Sequence, residues 1–189
     1  MNKYHYNSKP KTSNLKSIVY LVMVASLDGV IARSEKESSV SWNSIEDKKH
    51  YALFTKKLGC IILGSKTFDT FKKPFLNRTH IVLTSRSEEY KKKYKEYKNV
   101  YFLSANNPKE VLKFTFNLGF KKVVLSGGST INTFFAKANL IDFIYLTIEP
   151  KIFGKGLHLF NENMNLRLRL LSTEKLNEDT LLVKYKVNK

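Results

Sequence analysis

The stretch SWNSIEDKKHYALF, residues 41–54, holds the only tryptophan of the chain and two adjacent carboxylates. The spacing of its apolar residues predicts a helix over Ser44–Leu58, in which residues three or four apart share a face. On this helix Asp47 lies on the apolar stripe, whereas Glu46 lies on a more polar one. Because burying an unpaired carboxylate is costly, a carboxylate on the packed face needs a partner.

Two interpretations of Asp47 remain open at this point. The first is helix capping, with Ser44 as the N-cap, Asp47 three residues later, and an acid in the first turn that suits the helix dipole. The second is that Asp47 lines a pocket and pairs with a cationic or amidine-like ligand. A capping acid has no need to lie on the apolar stripe, which is the reason for keeping the second interpretation.

Three turns that follow predicted strands could bind phosphate. In VVLSGGSTINTFF, residues 123–135, two glycines separate a strand from a helix, so the backbone can approach a ligand and helical N–H groups can face an anion. The other two are GSKTF, residues 64–68, and LTSR, residues 83–86, which offer hydroxyls and cations. Each alone is typical of an ordinary cap or turn. Together, along one edge of a parallel sheet, they would suit an extended polyanionic cofactor.

The elements that must position these residues alternate along the chain. Apolar runs predict strands at 18–25, 60–63, 81–84, 101–103 and 123–126, with helices at 44–58 and 108–118 and a charged helix or loop at 88–97. After residue 141 three strands, 143–148, 166–172 and 180–187, follow without a long helix. The pattern predicts one α/β domain over residues 18–189, a mostly parallel sheet with an antiparallel end, preceded by a flexible basic tail over residues 1–17.

Composition limits the function classes. The formal net charge of +17 favours anionic partners, although a lysine-rich coding bias explains it equally well, and no nucleic-acid motif is present. The single cysteine, Cys60, lies in an apolar run, which is typical of a buried thiol in a reducing cytosol. No apolar run approaches the about 20 residues of a membrane helix. Residues 16–26 could imitate a signal peptide, but they are better explained as a first buried strand.

Taken in order, the motifs resemble the dihydrofolate reductase superfamily. The matching stretches run from Ile18 to about Phe160 and include LDGVIA, Trp42, Asp47, ILGSKTFDTF, KPFLNR, IVLTSR, LSGGSTIN and IYLTIEP. The resemblance implies a dihydrofolate reductase-like fold, an eight-stranded sheet flanked by helices. It also implies that NADPH lies across the ends of the parallel strands.

The resemblance further implies a role for each matched residue. Asp47 would hold the pterin by a paired, charge-assisted hydrogen bond, Trp42 would border a mobile loop over residues 33–41, and Thr147 would support the carboxylate. The implied substrate contacts are Val24, Tyr51, Phe54 and Arg78, the last of which would grip the glutamate carboxylate of a folate. The implied cofactor contacts are Ala25, Ile31, Gly64, Ser65, Lys66, Thr67, Thr84, Ser85, Arg86, Ser126, Gly127, Gly128, Ser129, Thr130 and Ile131. No metal is implied.

The chain departs from the family pattern at three positions. Ser65 stands where arginine is frequent, so phosphate binding would depend on Lys66 and Arg86. Asn77 replaces the glycine before the tail-binding arginine, and Ser41 replaces the proline before the loop tryptophan. These departures concern affinity more than the class of enzyme.

Two reactions are compatible with this resemblance. LIDFIYLTIEPKIFGKGLHLF also resembles the reductase domain of riboflavin biosynthesis, which reduces a 5-amino-6-ribosylamino-pyrimidine phosphate. Because the middle of the chain follows the folate pattern, including Arg78, we expect NADPH-dependent reduction of 7,8-dihydrofolate to 5,6,7,8-tetrahydrofolate, with the riboflavin-type reaction as the alternative. A non-catalytic, nucleic-acid-binding protein is a distant third possibility. We expect a cytoplasmic monomer or homodimer.

Overall fold

The computed structural model describes residues 16–71 and 73–189, so the predicted tail lies mostly outside the described residues. Its strands are β1 Ile18–Ser26, β2 Val30–Ala32, β3 Cys60–Gly64, β4 Thr79–Leu83, β5 Val100–Leu103, β6 Lys122–Leu125, β7 Phe143–Glu149, β8 Leu157–His158, β9 Arg167–Lys175 and β10 Leu181–Asn188. Its helices are α1 Ile45–Leu58, α2 Ser65–Asp69, α3 Ser87–Lys93, α4 Pro108–Asn117 and α5 Ser129–Lys137. None of these helices has the length and apolar character to cross a membrane.

One large sheet organises the molecule, in the strand order β5-β4-β3-β6-β1-β7-β10-β9. Neighbouring strands from β5 to β7 pair in parallel, whereas β10 pairs antiparallel with both β7 and β9. The predicted mostly parallel eight-stranded sheet with an antiparallel end is therefore confirmed. Because parallel strands end at the same edge, the turns after β3, β4 and β6 share that edge.

Burial explains why the central strands have continuous apolar sequences. Every residue of β3 is buried, and β1, β4 and β6 contribute side chains to the same core, since helices cover both faces of a parallel sheet. The fully buried Phe135 of α5 packs in this core. A second cluster gathers around Phe68 and Tyr90 of α2 and α3.

Helix α1 begins and ends as the sequence predicts. The Ser44 hydroxyl accepts a hydrogen bond from the Asp47 backbone N–H at 3.2 Å, and Gly59 closes the helix in the left-handed conformation at φ 75°. Asp47 is 5% exposed, and the more exposed Glu46 accepts a hydrogen bond from Asn177 at 3.0 Å. The predicted inward direction of Asp47 is confirmed, and Ser44 is the N-cap of α1.

Three features differ from the predicted elements. The LDGVIA segment adds elements that the predicted set lacks: Leu27 is 66% exposed in a turn, and the following β2 pairs with β8 in a separate two-stranded sheet. Strand β9 extends to Lys175, and all its residues are exposed at the sheet edge. Ser17, placed at the end of the predicted tail, is fully buried and donates to the Phe120 carbonyl at 2.6 Å.

Candidate active site

Asp47 enters the site from the first turn of α1. The Asn43 Nδ2 amide donates to Asp47 Oδ2 at 2.6 Å, and the Thr147 hydroxyl lies close enough to this carboxylate to lower its pKa. Burial raises the pKa of the Asp47 carboxyl, Thr147 and the hydrogen bond from Asn43 oppose that rise, and the nearby Glu149 carboxylate adds to it. The site therefore holds an acidic group whose charge a cationic or N–H-bearing ligand would favour.

Adjacent strands supply the floor beneath Asp47. In the parallel pair of β1 and β7, Val24 lies opposite Thr147 and Ala25 opposite Ile148. Val24, Ala25 and Thr147 are all buried at the carboxyl end of their strands. The sheet register thus brings two predicted site residues from distant parts of the sequence alongside the carboxylate.

Tyr51 connects α1 to the glycine turn. Its hydroxyl lies 2.7 Å from Ser126 Oγ, and burial of that hydroxyl raises the pKa of Tyr51 to about 12. The Tyr51 ring makes an edge contact with Phe75 at 6.4 Å between centroids, and the Arg78 guanidinium lies over Phe75 at 5.0 Å. Arg78 also donates to the Ala52 carbonyl at 2.7 Å, while its Nε is buried and finds no partner among the residues that the structure describes.

Phe54 does not share the immediate surroundings of these groups. Its ring centroid lies 5.1 Å from that of Tyr145 and 5.5 Å from that of Tyr20, within an aromatic cluster that also includes His50. Phe54 lies almost two turns beyond Asp47 on α1. Its predicted substrate contact stays a prediction.

Glycines bring the turns after β3 and β6 into direct contact. The Gly64 N–H donates to the Gly127 carbonyl at 2.8 Å, and a Cβ on Gly64 would lie only 3.0 Å from Ile131 Cγ1. Gly127 has φ 79°, a conformation that favours glycine, and a Cβ on Gly128 would lie 3.6 Å from Thr67 Oγ1. The two predicted turns thus form one glycine-lined cradle.

The N-terminus of α5 lies in this cradle. Gly128 is its N-cap and supplies no side-chain hydrogen bond to the helix, so the first backbone N–H groups remain available to an anion. Ser129 is buried and Thr130 exposed at the helix start. This geometry fits a phosphate of a dinucleotide.

The predicted phosphate-binding cations are exposed and lightly paired. Lys66 Nζ lies 2.7 Å from Glu35 Oε2, and Arg86 Nη1 lies 3.5 Å from Glu89 Oε1. Such surface pairs contribute little stability, about 0–1 kcal/mol, so either cation can exchange its partner for a phosphate. Among the other predicted contacts, Thr84 Oγ1 accepts from the Arg86 backbone N–H at 3.2 Å, and Ser85 is exposed. Ser65 is the first residue of α2.

Trp42 closes the side of the site where the loop of residues 33–41 ends. It is 9% exposed, and its ring makes an edge contact with Phe153 at 5.2 Å between centroids. Its Nε1 donor is buried without a hydrogen-bond partner in the described residues. The loop carries an Arg33–Glu37 ion pair, and Ile31, in β2, is buried.

Sequence reasoning missed two polar residues beside Asp47, Asn43 and Glu149. Glu149 is 2% exposed, and its carboxylate accepts from the Ser44 backbone N–H at 2.8 Å and from the Thr180 hydroxyl at 3.3 Å. A cavity of about 470 Å³ beside the helix start is lined by Trp42, Ser44, Glu149 and residues 150–151 and 177–180. The strand alternation of IYLTIEP could have indicated that Glu149 is inward, but no local signal marks Asn43.

No cluster of three or more His, Cys, Asp or Glu side chains suited to a metal ion occurs within residues 16–71 and 73–189. Cys60 is buried, and burial raises the pKa of its thiol to about 12, so the thiolate nucleophile is strongly disfavoured. The chemistry available at this edge is therefore that of Asp47, its polar neighbours and a cradle suited to a phosphorylated ligand.

Comparison with known proteins gives several matches along nearly the whole chain. The uncharacterized protein YwjB of Bacillus subtilis (strain 168) is 26% identical over 175 residues, covering 86% of this chain and 93% of its own. The riboflavin biosynthesis protein RibD of Aquifex aeolicus (strain VF5) is 30% identical over 126 residues, which span 64% of this chain but only 34% of that protein.

Solved structures share the fold at lower identity. A pyrimidine reductase-like protein from Corynebacterium diphtheriae superposes with a TM-score of 0.73 at 15% identity, covering 97% of both chains. A diaminohydroxyphosphoribosylaminopyrimidine deaminase/5-amino-6-(5-phosphoribosylamino)uracil reductase from Thermotoga maritima gives 0.72 at 17%, covering 92% of this chain and 57% of that one. Dihydrofolate reductase from Enterococcus faecalis gives 0.66 at 20%, covering 91% and 97%.

The comparisons confirm the predicted superfamily and shift the choice within it. They favour the riboflavin-type reductase, which the sequence analysis kept as the alternative, over dihydrofolate reductase. A family model described as the RibD C-terminal domain matches residues 17–182. The chain therefore belongs to the family of RibD C-terminal domains, which has the dihydrofolate reductase-like fold.

Proposed function

We propose that this protein is an NADPH-dependent reductase of a phosphoribosylamino-pyrimidine, in one of the two ring forms named for the Thermotoga protein. The first form is the diaminohydroxypyrimidine and the second is the uracil. The observation that carries the proposal is the RibD C-terminal domain match over residues 17–182, which includes both Asp47 and the glycine cradle. The resemblance to dihydrofolate reductase is then one of fold.

The pyrimidine would bind against Asp47. The carboxylate accepts N–H groups from the ring and sets its orientation, and Asn43 holds the carboxylate through its own hydrogen bond, with Thr147 nearby. Trp42, buried at the end of the loop, excludes water from the same edge. Arg78, whose buried Nε has no partner among the described residues, is our candidate for the phosphate of the substrate.

The residues of the cradle fit NADPH. Gly64, Gly127 and Gly128 leave room that a Cβ would fill, and the uncapped start of α5 offers N–H groups to a phosphate. Lys66 and Arg86 would contact further phosphates. When bound, the cofactor supplies the hydride, while the protein supplies its placement beside the pyrimidine.

Dihydrofolate reduction is the second candidate, and one observation favours it. Asp47 and Arg78 lie on the same helix-and-turn surface, with Tyr51 and Phe75 between them, so that one pterin ring and its carboxylate tail could reach both. Asp47 and Arg78 also suit a pyrimidine with a ribosyl phosphate, because the carboxylate could bind the ring and the guanidinium the phosphate. The distinction between the two reactions therefore needs a direct assay.

The assay follows NADPH absorbance with the purified protein and three separate substrates: the diaminopyrimidine phosphate, the uracil phosphate and dihydrofolate. We expect oxidation of NADPH with at least one of the two ribosylamino compounds and none with dihydrofolate. The matched control is the same reaction with NADH, which lacks the phosphate that Lys66 and Arg86 would bind and should react more slowly. Turnover of dihydrofolate alone would reverse the proposal.

A further inference from the structure

Residues 42–47 contain two buried polar atoms that no group in the described residues satisfies. They are the indole Nε1 of Trp42 and the amide oxygen Oδ1 of Asn43. Asn43 stands two positions before α1 and hydrogen-bonds the buried carboxylate of Asp47, and Trp42 stands three positions before the helix. A buried polar atom without a partner costs about 1–3 kcal/mol, so a ligand or a water that bonds these two atoms would stabilise this end of the site.

The hydrogen bond between Asn43 and Asp47 decides which end of the Asn43 amide is left for a ligand. A carboxylate oxygen only accepts, so the group 2.6 Å from Asp47 Oδ2 has to be the Nδ2 amide of Asn43. The Oδ1 atom is therefore the free end, and it is an acceptor. Asn43 thus adds a second acceptor beside the acceptor group of Asp47.

The electrostatic surroundings strengthen this preference for donors. Glu149, also buried, lies close enough to Asp47 to disfavour a second negative charge there. Among the described residues, His50 has the opposite effect on Asp47, and burial lowers the pKa of that imidazole, which favours its neutral form. A carbonyl oxygen placed against Asp47 and Asn43 would therefore meet acceptors and negative potential.

We propose that Asn43 and Asp47 together select a 2-amino-4-oxopyrimidine ring over a 2,4-dioxopyrimidine ring, with Asn43 as a specificity-determining residue. The 2-amino form presents adjacent donors, the ring N–H and the exocyclic amine, to the two acceptors. In the dioxo form an oxygen replaces that amine and leaves Asn43 Oδ1 unpaired. The carbonyl oxygen at position 4 is an acceptor to which the Trp42 N–H could donate a hydrogen bond.

This inference rests on the proposed function and narrows it to one substrate class. Of the two ring forms, the protein would take the diaminopyrimidine, before its 2-amino group is replaced by oxygen. A reaction that removes this amine would therefore act on the product of this protein and not on its substrate. Polar mismatches of this kind discriminate more strongly than shape alone, because the buried groups of the site are left unpaired.

The test measures the binding of the two pyrimidine phosphates, identical except at position 2, by calorimetry with the ligand-free protein. We expect the wild type to bind the 2-amino form at least about tenfold more tightly, the equivalent of about 1.4 kcal/mol. Asn43→Ala should reduce that ratio several-fold, mainly by weakening the 2-amino form. The matched control is Asn117→Ala on an exposed end of α4, which should keep the wild-type ratio.

The outcomes separate this inference from the proposed function. Equal binding of both rings by the wild type, or tighter binding of the dioxo form, overturns the inference even where both compounds oxidise NADPH. Preference for the 2-amino ring without NADPH oxidation supports the inference and removes the proposed reaction. Because the wild-type ratio is measured first, the test remains decisive even if Asn43→Ala does not fold.

Discussion

At the scale of single residues, Asp47 combines a place in the first helical turn with a buried side chain. Its backbone N–H is capped by Ser44, so the carboxylate itself is not needed for capping. Burial dominates the surroundings of the side chain and raises its pKa, although Thr147 and the hydrogen bond from Asn43 partly compensate. A group kept at a cost to stability is a good candidate for function.

Replacing Asp47 by Asn should separate activity from stability. Asn keeps an acceptor for Asn43 but loses the charge that orients the ring, so kcat/KM should fall about 100-fold or more. The folded state raises the pKa of Asp47 above 3.8, which means that its ionisation destabilises the fold at neutral pH. We therefore expect a higher free energy of unfolding for Asp47→Asn at pH 7, with the gain disappearing as the pH falls towards 3.8.

Glu46→Gln is the matched control for this experiment, because Glu46 occupies the same helical turn but faces Asn177. It should change kcat/KM less than about threefold. Denaturant unfolding at several pH values, together with NADPH oxidation, measures both properties. Unchanged turnover in a folded Asp47→Asn protein would remove Asp47 from the mechanism.

At the scale of elements, the start of α1 is held in place by a strand end. Glu149, the last residue of β7, accepts a hydrogen bond from the Ser44 backbone N–H and another from the Thr180 hydroxyl just before β10. This carboxylate joins the helix that carries Asp47 to two strands of the sheet. The position of Asp47 relative to Thr147, also on β7, therefore depends on one buried side chain.

Glu149→Ala should loosen this junction. It leaves the Ser44 N–H and the Thr180 hydroxyl without their acceptor, so we expect a loss of about 2 kcal/mol in the free energy of unfolding and a fall in kcat/KM. Glu149→Gln keeps one acceptor oxygen, so it should lose less stability and less activity than Glu149→Ala. Denaturant unfolding and steady-state kinetics measure the two effects.

The control for the junction is Glu162→Ala, which breaks an exposed pair with Lys137 and should cost less than about 1 kcal/mol. If Glu149→Ala were as mild as this control, the strand end would not hold the helix. Glu149→Gln could also lower kcat/KM as much as Glu149→Ala does while losing less stability. In that case the charge of Glu149 would matter more for activity than its hydrogen bonds.

At the scale of the whole molecule, the excess of positive charge is the dominant property. The chain carries 33 lysines and arginines against 16 acids. In the described residues the ion pairs are mostly exposed, and such pairs contribute little. Repulsion among the remaining cations therefore opposes the compact state.

Added salt should stabilise the protein by screening this repulsion. The screening length falls from about 30 Å at 0.01 M to about 10 Å at 0.1 M, so the thermal midpoint should rise by a few degrees between low salt and about 0.3 M NaCl. Differential scanning fluorimetry over a NaCl series measures the thermal midpoint, and sucrose at matched osmolality is the control for general solvent effects. A midpoint that falls with NaCl would show that favourable surface pairs outweigh the repulsion.

The sequence alone determined the features that depend on local periodicity. Alternating apolar runs predicted the order of strands and helices, and the helical repeat distinguished Asp47 from Glu46, because facing on a helix follows from spacing alone. The glycine turns after strands predicted one shared edge, since parallel strands end together. These features needed no knowledge of distant contacts.

Only the tertiary structure decided which side chains from different elements meet. The approach of Glu149 to Ser44 spans 105 positions in the sequence, and the contact of Tyr51 with Ser126 spans 75. The displacement of Phe54 into an aromatic cluster depends on Tyr20 and Tyr145 of neighbouring strands. The role that we propose for Asn43 depends on the direction of one amide beside a buried carboxylate. Contacts between distant elements fix such directions, which no local pattern encodes.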